Sequence, residues 1–175
     1  MGQFINWKKF PFHVVAFIIT LLLVFFIAYT SGYVHEHSHI NAAEKKDINL
    51  KYEGIDFTPN VSEILNWGHG ASIPASEKDC KKFNSLSVED KKDIAYAGIY
   101  GEGAFLIILF GTISVLMWRK GKRLRDKDQT LYDFALILWF APLLILILSL
   151  TSNYFTSNPM ADANIVYEGL RCSAY

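Results

Sequence analysis

His35, Glu36, His37, Ser38 and His39 put a carboxylate and three imidazoles within five residues. On a helix, positions four apart share a face, so His35 and His39 can hold one metal ion between them. Glu36 then stands beside the ion and can take a proton from water, the use that H-E-x-x-H makes of these residue types in zinc-dependent hydrolysis. His37 is expected to point elsewhere. A catalytic zinc takes three protein ligands and keeps one position open, so the pair needs a third donor. The candidates are His69, Glu102, Asp162, His13 and the loop carboxylates. The plainer reading of the same residues is a solvated, histidine-rich helix end.

The elements that must carry these side chains are apolar. Three runs, roughly 10–30, 94–118 and 134–150, hold most of the hydrophobic residues of the 175-residue chain. The stretch from Pro11 to Tyr33 has no Lys, Arg, Asp or Glu. It is long enough to cross a hydrocarbon layer of about 30 Å as a helix, and too long for the core of a signal peptide. Backbone groups left unpaired in lipid are costly, so helices are the natural form of all three runs. The sequence predicts an all-α integral membrane protein with three transmembrane helices. A polar, partly β or irregular insertion separates the first two.

The expected layout is one domain over residues 1–175. Helix one (10–34) runs into the histidine segment, and an insertion follows (40–93). Helix two (94–118), a basic loop (119–132), helix three (133–153) and a tail (154–175) complete it. Within the insertion, Ile48–Phe57 alternates imperfectly, as a short strand or hairpin does. Ser87, with Asp90 three residues later, marks a helix start.

The 17 Lys+Arg balance the 17 Asp+Glu, which gives no support for nucleic-acid binding. Placement matters more than the total. Residues 119–128 carry six basic and two acidic side chains, a bias that holds short segments on the cytoplasmic side, and Lys8 and Lys9 agree. The 31–93 segment and the tail then lie on the opposite side. That order brings His35, His39, Glu102 and Asp162 to one non-cytoplasmic side and sends His13 to the other. Cys80 and Cys172 share that side, where an oxidising compartment would let them join.

Glu102 is a carboxylate within an apolar run, which is costly unless it faces protein or water. It can orient a histidine, handle protons or touch substrate, or it can simply reach headgroup water. A ligand set of His35, His39 and Glu102 stays open. His69, flanked by Gly68 and Gly70, reads as a loop residue that is either solvated or used to bind substrate or a second metal.

Taken in order, the segments Val34–His39, Ala97–Gly111 (AGIYGEGAFLIILFG) and Asn158–Asn164 (NPMADAN) resemble the site-2-protease-like zinc metallopeptidases, the M50 type of intramembrane protease. That family places HExxH on its first core helix, a glycine motif at the second, and an N-P-x-x-D-G-like element with the last. Ile99 and Ala163 depart from its usual proline and glycine, so the resemblance is to a divergent member. It covers residues 10–170. It implies Zn2+ as cofactor, Glu36 as catalytic base, and His35, His39 and Asp162 as ligands. It also implies that Asn158 positions a substrate backbone or lines the site, that Gly98 and Gly101 allow close helix approach or substrate access, and that a membrane protein or peptide is the substrate. A non-catalytic membrane scaffold and a zinc hydrolase of non-peptide substrates are the competing readings.

Overall fold

A computed structural model of the protein describes residues 10–52 and 72–154, with Val166 and Cys172. His69, Asn158 and Asp162 lie outside the described residues. Helix α1 spans Phe10–Glu44, α3 Val88–Lys127 and α4 Gln129–Tyr154. Between α1 and α3 lie strands β1 (Leu50–Tyr52) and β2 (Ser72–Pro74) and helix α2 (Glu77–Ser85).

The three long helices are each apolar enough over an 18-residue window to cross a membrane. Within that window only 11% of α1, 11% of α3 and 17% of α4 is buried inside the protein. A soluble bundle hides its apolar stripe. Here Phe26, Ile108 and Leu144 stand exposed, and lipid is the medium that covers such a surface. Pro142, inside α4, lacks an N–H to donate, yet it is almost fully buried, as prolines in membrane helices can be when neighbours surround them.

Helix lengths decide where the chemistry sits. The 35 residues of α1 make a rod of about 52 Å, against a hydrocarbon layer of about 30 Å. The helix is longer than that layer is thick, and the histidine segment follows its apolar stretch. The 40-residue α3 runs antiparallel to α1, with His13 beside Asp128 at one end and His39 beside Ile94 at the other. Helix α4 runs alongside α1, with Phe17 and Phe134 in ring contact at 5.7 Å between centroids.

The basic segment departs from the expected loop. Helix α3 continues to Lys127, and α4 begins at Gln129. Arg, Lys and Leu are good helix formers, and the apolar run alone does not mark where such a helix stops. The reversal is made by Asp128, in an extended conformation. Its N–H donates to the Leu124 carbonyl at 2.8 Å, and its carboxylate accepts from the Leu131 N–H at 3.4 Å. Both carboxylate oxygens also lie 3.1 Å from His13 Nε2. One side chain thus ends α3, caps α4 and ties both to α1.

At the opposite end, α1 stops in a turn with Asp47 in the left-handed region (φ 55°). The Ile48 N–H donates back to the Ala43 carbonyl at 3.0 Å, and Ala43, Ile48, Phe83 and Ile94 form a small buried cluster. Lys46 pairs with Asp90 and with Asp93, and this holds the Lys46 ammonium above its ordinary pKa, the Asp90 hydrogen bond contributing most. Strand β1 pairs antiparallel with β2, Leu50 opposite Pro74 and Tyr52 opposite Ser72. The expected short strand within 48–57 is present as β1, its partner lies twenty residues on in sequence, and 53–57 lie outside the described residues. The short helix α2 is capped by Ser76, whose Oγ accepts from the Asp79 N–H at 3.2 Å. Helix α3 is capped by Ser87 as the sequence predicts, with the Asp90 N–H at 3.1 Å. Cys80 on α2 is disulfide-bonded to Cys172, across 92 residues of sequence.

Candidate metal centre

The histidine segment lies on the last turns of α1, facing α3. His35, Glu36 and His39 are all buried, at 4%, 7% and 6% exposure, although they sit near a helix end. Two glycines make that burial possible. A Cβ placed on Gly98 would come within 2.4 Å of His39 Nε2 and 2.7 Å of His35 Nε2. A Cβ on Gly101 would come within 1.9 Å of Ser38 Oγ. The bare backbone of α3 thus accepts the face of α1 that carries the rings.

Each ring is held from behind. His35 Nδ1 donates to Glu102 Oε2 at 3.0 Å, and His39 Nδ1 donates to the Ile94 carbonyl at 2.7 Å. A neutral imidazole that donates from Nδ1 carries its lone pair on Nε2. Both Nε2 atoms face the same patch at Gly98, with ring centroids 4.7 Å apart. Metal-ligating histidines are oriented in this way, with the second ring nitrogen on a carboxylate or a carbonyl.

Glu102 is only 3% exposed and accepts a second hydrogen bond, from Ser149 Oγ of α4 at 2.5 Å. Its carboxylate therefore joins three helices: α1 through His35, its own α3, and α4 through Ser149. It meets His35 on the Nδ1 side, away from the converging Nε2 atoms. Glu36 faces the insertion. Its carboxylate accepts from Ser72 Oγ of β2 at 2.6 Å, and the same hydroxyl lies 3.0 Å from the Glu36 carbonyl. His37 turns away, stacked on Tyr33 at 3.7 Å and close to Tyr52, with its Nδ1 donating to the Tyr33 carbonyl.

The structure thus brings together His35, His39, Gly98 and Glu102, sets Gly101 against Ser38, and places Glu36 against Ser72. It places His13 at the far end of α1, on Asp128. Among the described residues no group of three His, Cys, Asp or Glu side chains is arranged to hold a metal ion. The donor chemistry of the two imidazoles fits zinc, and the third donor expected from the sequence, Asp162, is outside the described residues. Ser149 and Ser72 were not among the sequence candidates. A serine in an apolar helix one turn from its end, and one at a strand start, carry no motif. Only the cost of burying Glu102 hinted that a donor from another helix must exist.

Comparison with family models, with curated proteins and with solved structures finds no match to this chain.

Proposed function

We propose that this protein is a zinc-dependent membrane metalloprotease that hydrolyses a peptide bond of a membrane protein within or near the bilayer. The observation that carries this reading is the pair of Nδ1–H bonds, to Glu102 and to the Ile94 carbonyl, that aim both Nε2 lone pairs at one patch. His35, His39 and Asp162 would hold the ion. When bound, zinc supplies a Lewis acid that polarises a carbonyl and acidifies water. The chain's own contribution to proton transfer is Glu36. Its carboxylate takes a proton from the attacking water and returns it to the leaving amine nitrogen, as general acid–base catalysis requires. Ser72 holds that carboxylate at 2.6 Å and orients it.

The basic end of α3 belongs in the cytoplasm by its charge, together with the N-terminus. The histidine end then faces the non-cytoplasmic side. The disulfide at that same end supports this orientation, because such bonds persist in oxidising compartments.

The test is zinc content measured on gently purified protein, beside cleavage of a transmembrane reporter. Glu36→Gln is expected to keep stoichiometric zinc and lose cleavage, whereas His39→Ala is expected to lose both. Wild-type protein without stoichiometric metal would overturn the reading.

A further inference from the structure

A second feature lies in the membrane part of the bundle, away from the histidines. A groove of about 590 Å³ runs along α3 from Phe105 to Leu124, walled by Ile27 of α1 and Leu138 of α4. Its volume is within the roughly 300–1,000 Å³ typical of ligand sites. The twenty residues from Phe105 to Leu124 cover about 28 Å of helix, close to the thickness of the hydrocarbon layer. Its walls are almost wholly carbon, and the one charged residue among them is Lys120, near the basic end. At that end α3 and α4 come together at Gly121, where a Cβ would meet the Tyr132 ring at 3.4 Å.

The surroundings of Lys120 point to the occupant. Arg119, Lys122 and Arg123 stand exposed beside it, and among the described residues none of the four is in an ion pair. The nearby carboxylates are engaged elsewhere: Asp128 with His13, and Asp126 with Arg125 at 3.9 Å. A long apolar slot that ends in concentrated positive charge at the membrane surface matches a molecule with an acyl chain and a net negative head.

We propose that this groove is a binding site for an anionic phospholipid, with one acyl chain along α3 and the phosphate at Lys120. Basic pockets between membrane helices bind anionic headgroups by the same attraction. The Lys120 stem lies along the apolar wall and extends its ammonium to the interface. A zwitterionic lipid with the same chains fills the slot equally well but gains less from the four cations. The site depends neither on metal nor on the proteolytic reading.

The experiment is native mass spectrometry of the detergent-purified full chain, titrated with phosphatidylglycerol or with phosphatidylcholine of identical acyl chains. Wild type is expected to retain phosphatidylglycerol preferentially. Lys120→Gln should weaken that lipid about fivefold, the effect of about one juxtamembrane cation, while leaving phosphatidylcholine unchanged. Leu109→Trp, which fills the slot, should weaken both lipids. Ile108→Trp, placed on a 70% exposed position outside the groove, should weaken neither and controls for folding. Equal retention of the two lipids, an unaltered Lys120→Gln, or a co-purifying polypeptide displaced by Leu109→Trp in place of lipid would each overturn the proposal.

Discussion

Gly98→Ala adds a single carbon where the geometry leaves no space for it. In an unobstructed helix the same change stabilises by about 1 kcal/mol, because alanine is the better helix former. At Gly98 the new Cβ would lie 2.4 Å from His39 Nε2, 2.6 Å from His39 Cε1 and 2.7 Å from His35 Nε2. Neither ring gives way freely, since each is held by its Nδ1 bond, to Ile94 or to Glu102. If the helices part, the overpacking costs about 1–3 kcal/mol. If a ring swings out, a buried polar group loses its partner at a cost of about 1–3 kcal/mol. After the gain from alanine, a net loss of up to about 2 kcal/mol is expected by either route. Gly111 supplies the control, because it is on the same helix and a Cβ there meets nothing within 4 Å. Gly111→Ala should therefore be neutral or stabilising. Unfolding of both variants in mild detergent, followed by tryptophan fluorescence, measures the difference, and zinc titration reads the rings directly. If Gly98→Ala is as stable as Gly111→Ala and binds zinc like wild type, the rings do not pack on Gly98 and the argument fails.

Glu102→Ala should lower zinc affinity about 10- to 100-fold, the usual effect of removing a group that orients a metal-bound histidine; unchanged affinity in a competition assay would show that Glu102 does not orient His35. Gly101→Ala should destabilise the α1–α3 contact, and Ser38→Gly in the same chain should recover part of the loss, since Ser38 Oγ and Cβ are what the new carbon meets; a double-mutant cycle in unfolding free energy tests that coupling. Cys80→Ser should cost about 3–5 kcal/mol, as expected for opening a loop of 92 residues, and limited proteolysis should then release the tail at lower protease concentration. Asp79 is held below its ordinary pKa of 3.8, first by Ser76 Oγ and then by the Asn49 N–H. A depressed carboxyl stabilises the fold above its unfolded pKa and loses that contribution as pH falls through the folded value. Protection of the Asn49 amide in hydrogen exchange should therefore persist at pH 5 and decline only below about pH 4, and Asp79→Asn should abolish the acid step.

Much of this organisation was legible because it is written in local pattern. Uninterrupted apolar runs announced the three helices, the Ser87 cap fixed the start of α3, and four-residue spacing put His35 and His39 on one face. The family resemblance, rather than local pattern, implied that Gly98 and Gly101 allow close helix approach or substrate access, and both lie against α1. What escaped is what depends on distant partners. Ser149 reaches Glu102 across 47 residues and Ser72 reaches Glu36 across 36, and neither serine differs in type from the others nearby. The Asp128 turn was hidden for a different reason. Charge suggested a loop at 119–132, whereas the helix-forming tendency of those same Lys and Arg residues carries α3 on to Lys127. Side-chain chemistry and backbone preference pointed in different directions there.

The bond between Cys80 and Cys172 also has a consequence for how the molecule is made. Cys80 precedes α3 and α4 in the chain, and Cys172 follows them. The covalent ring therefore encloses both later membrane helices, and a ribosome must translate through position 172 before the ring can close. Until then Cys80 cannot form this bond. If only one of α3 and α4 crosses the membrane, the two sulfurs lie on opposite sides and cannot meet. Oxidation of this pair thus sets apart chains in which only one of the two helices has crossed, and the fraction of oxidised chains at each moment after synthesis follows the closing of the ring.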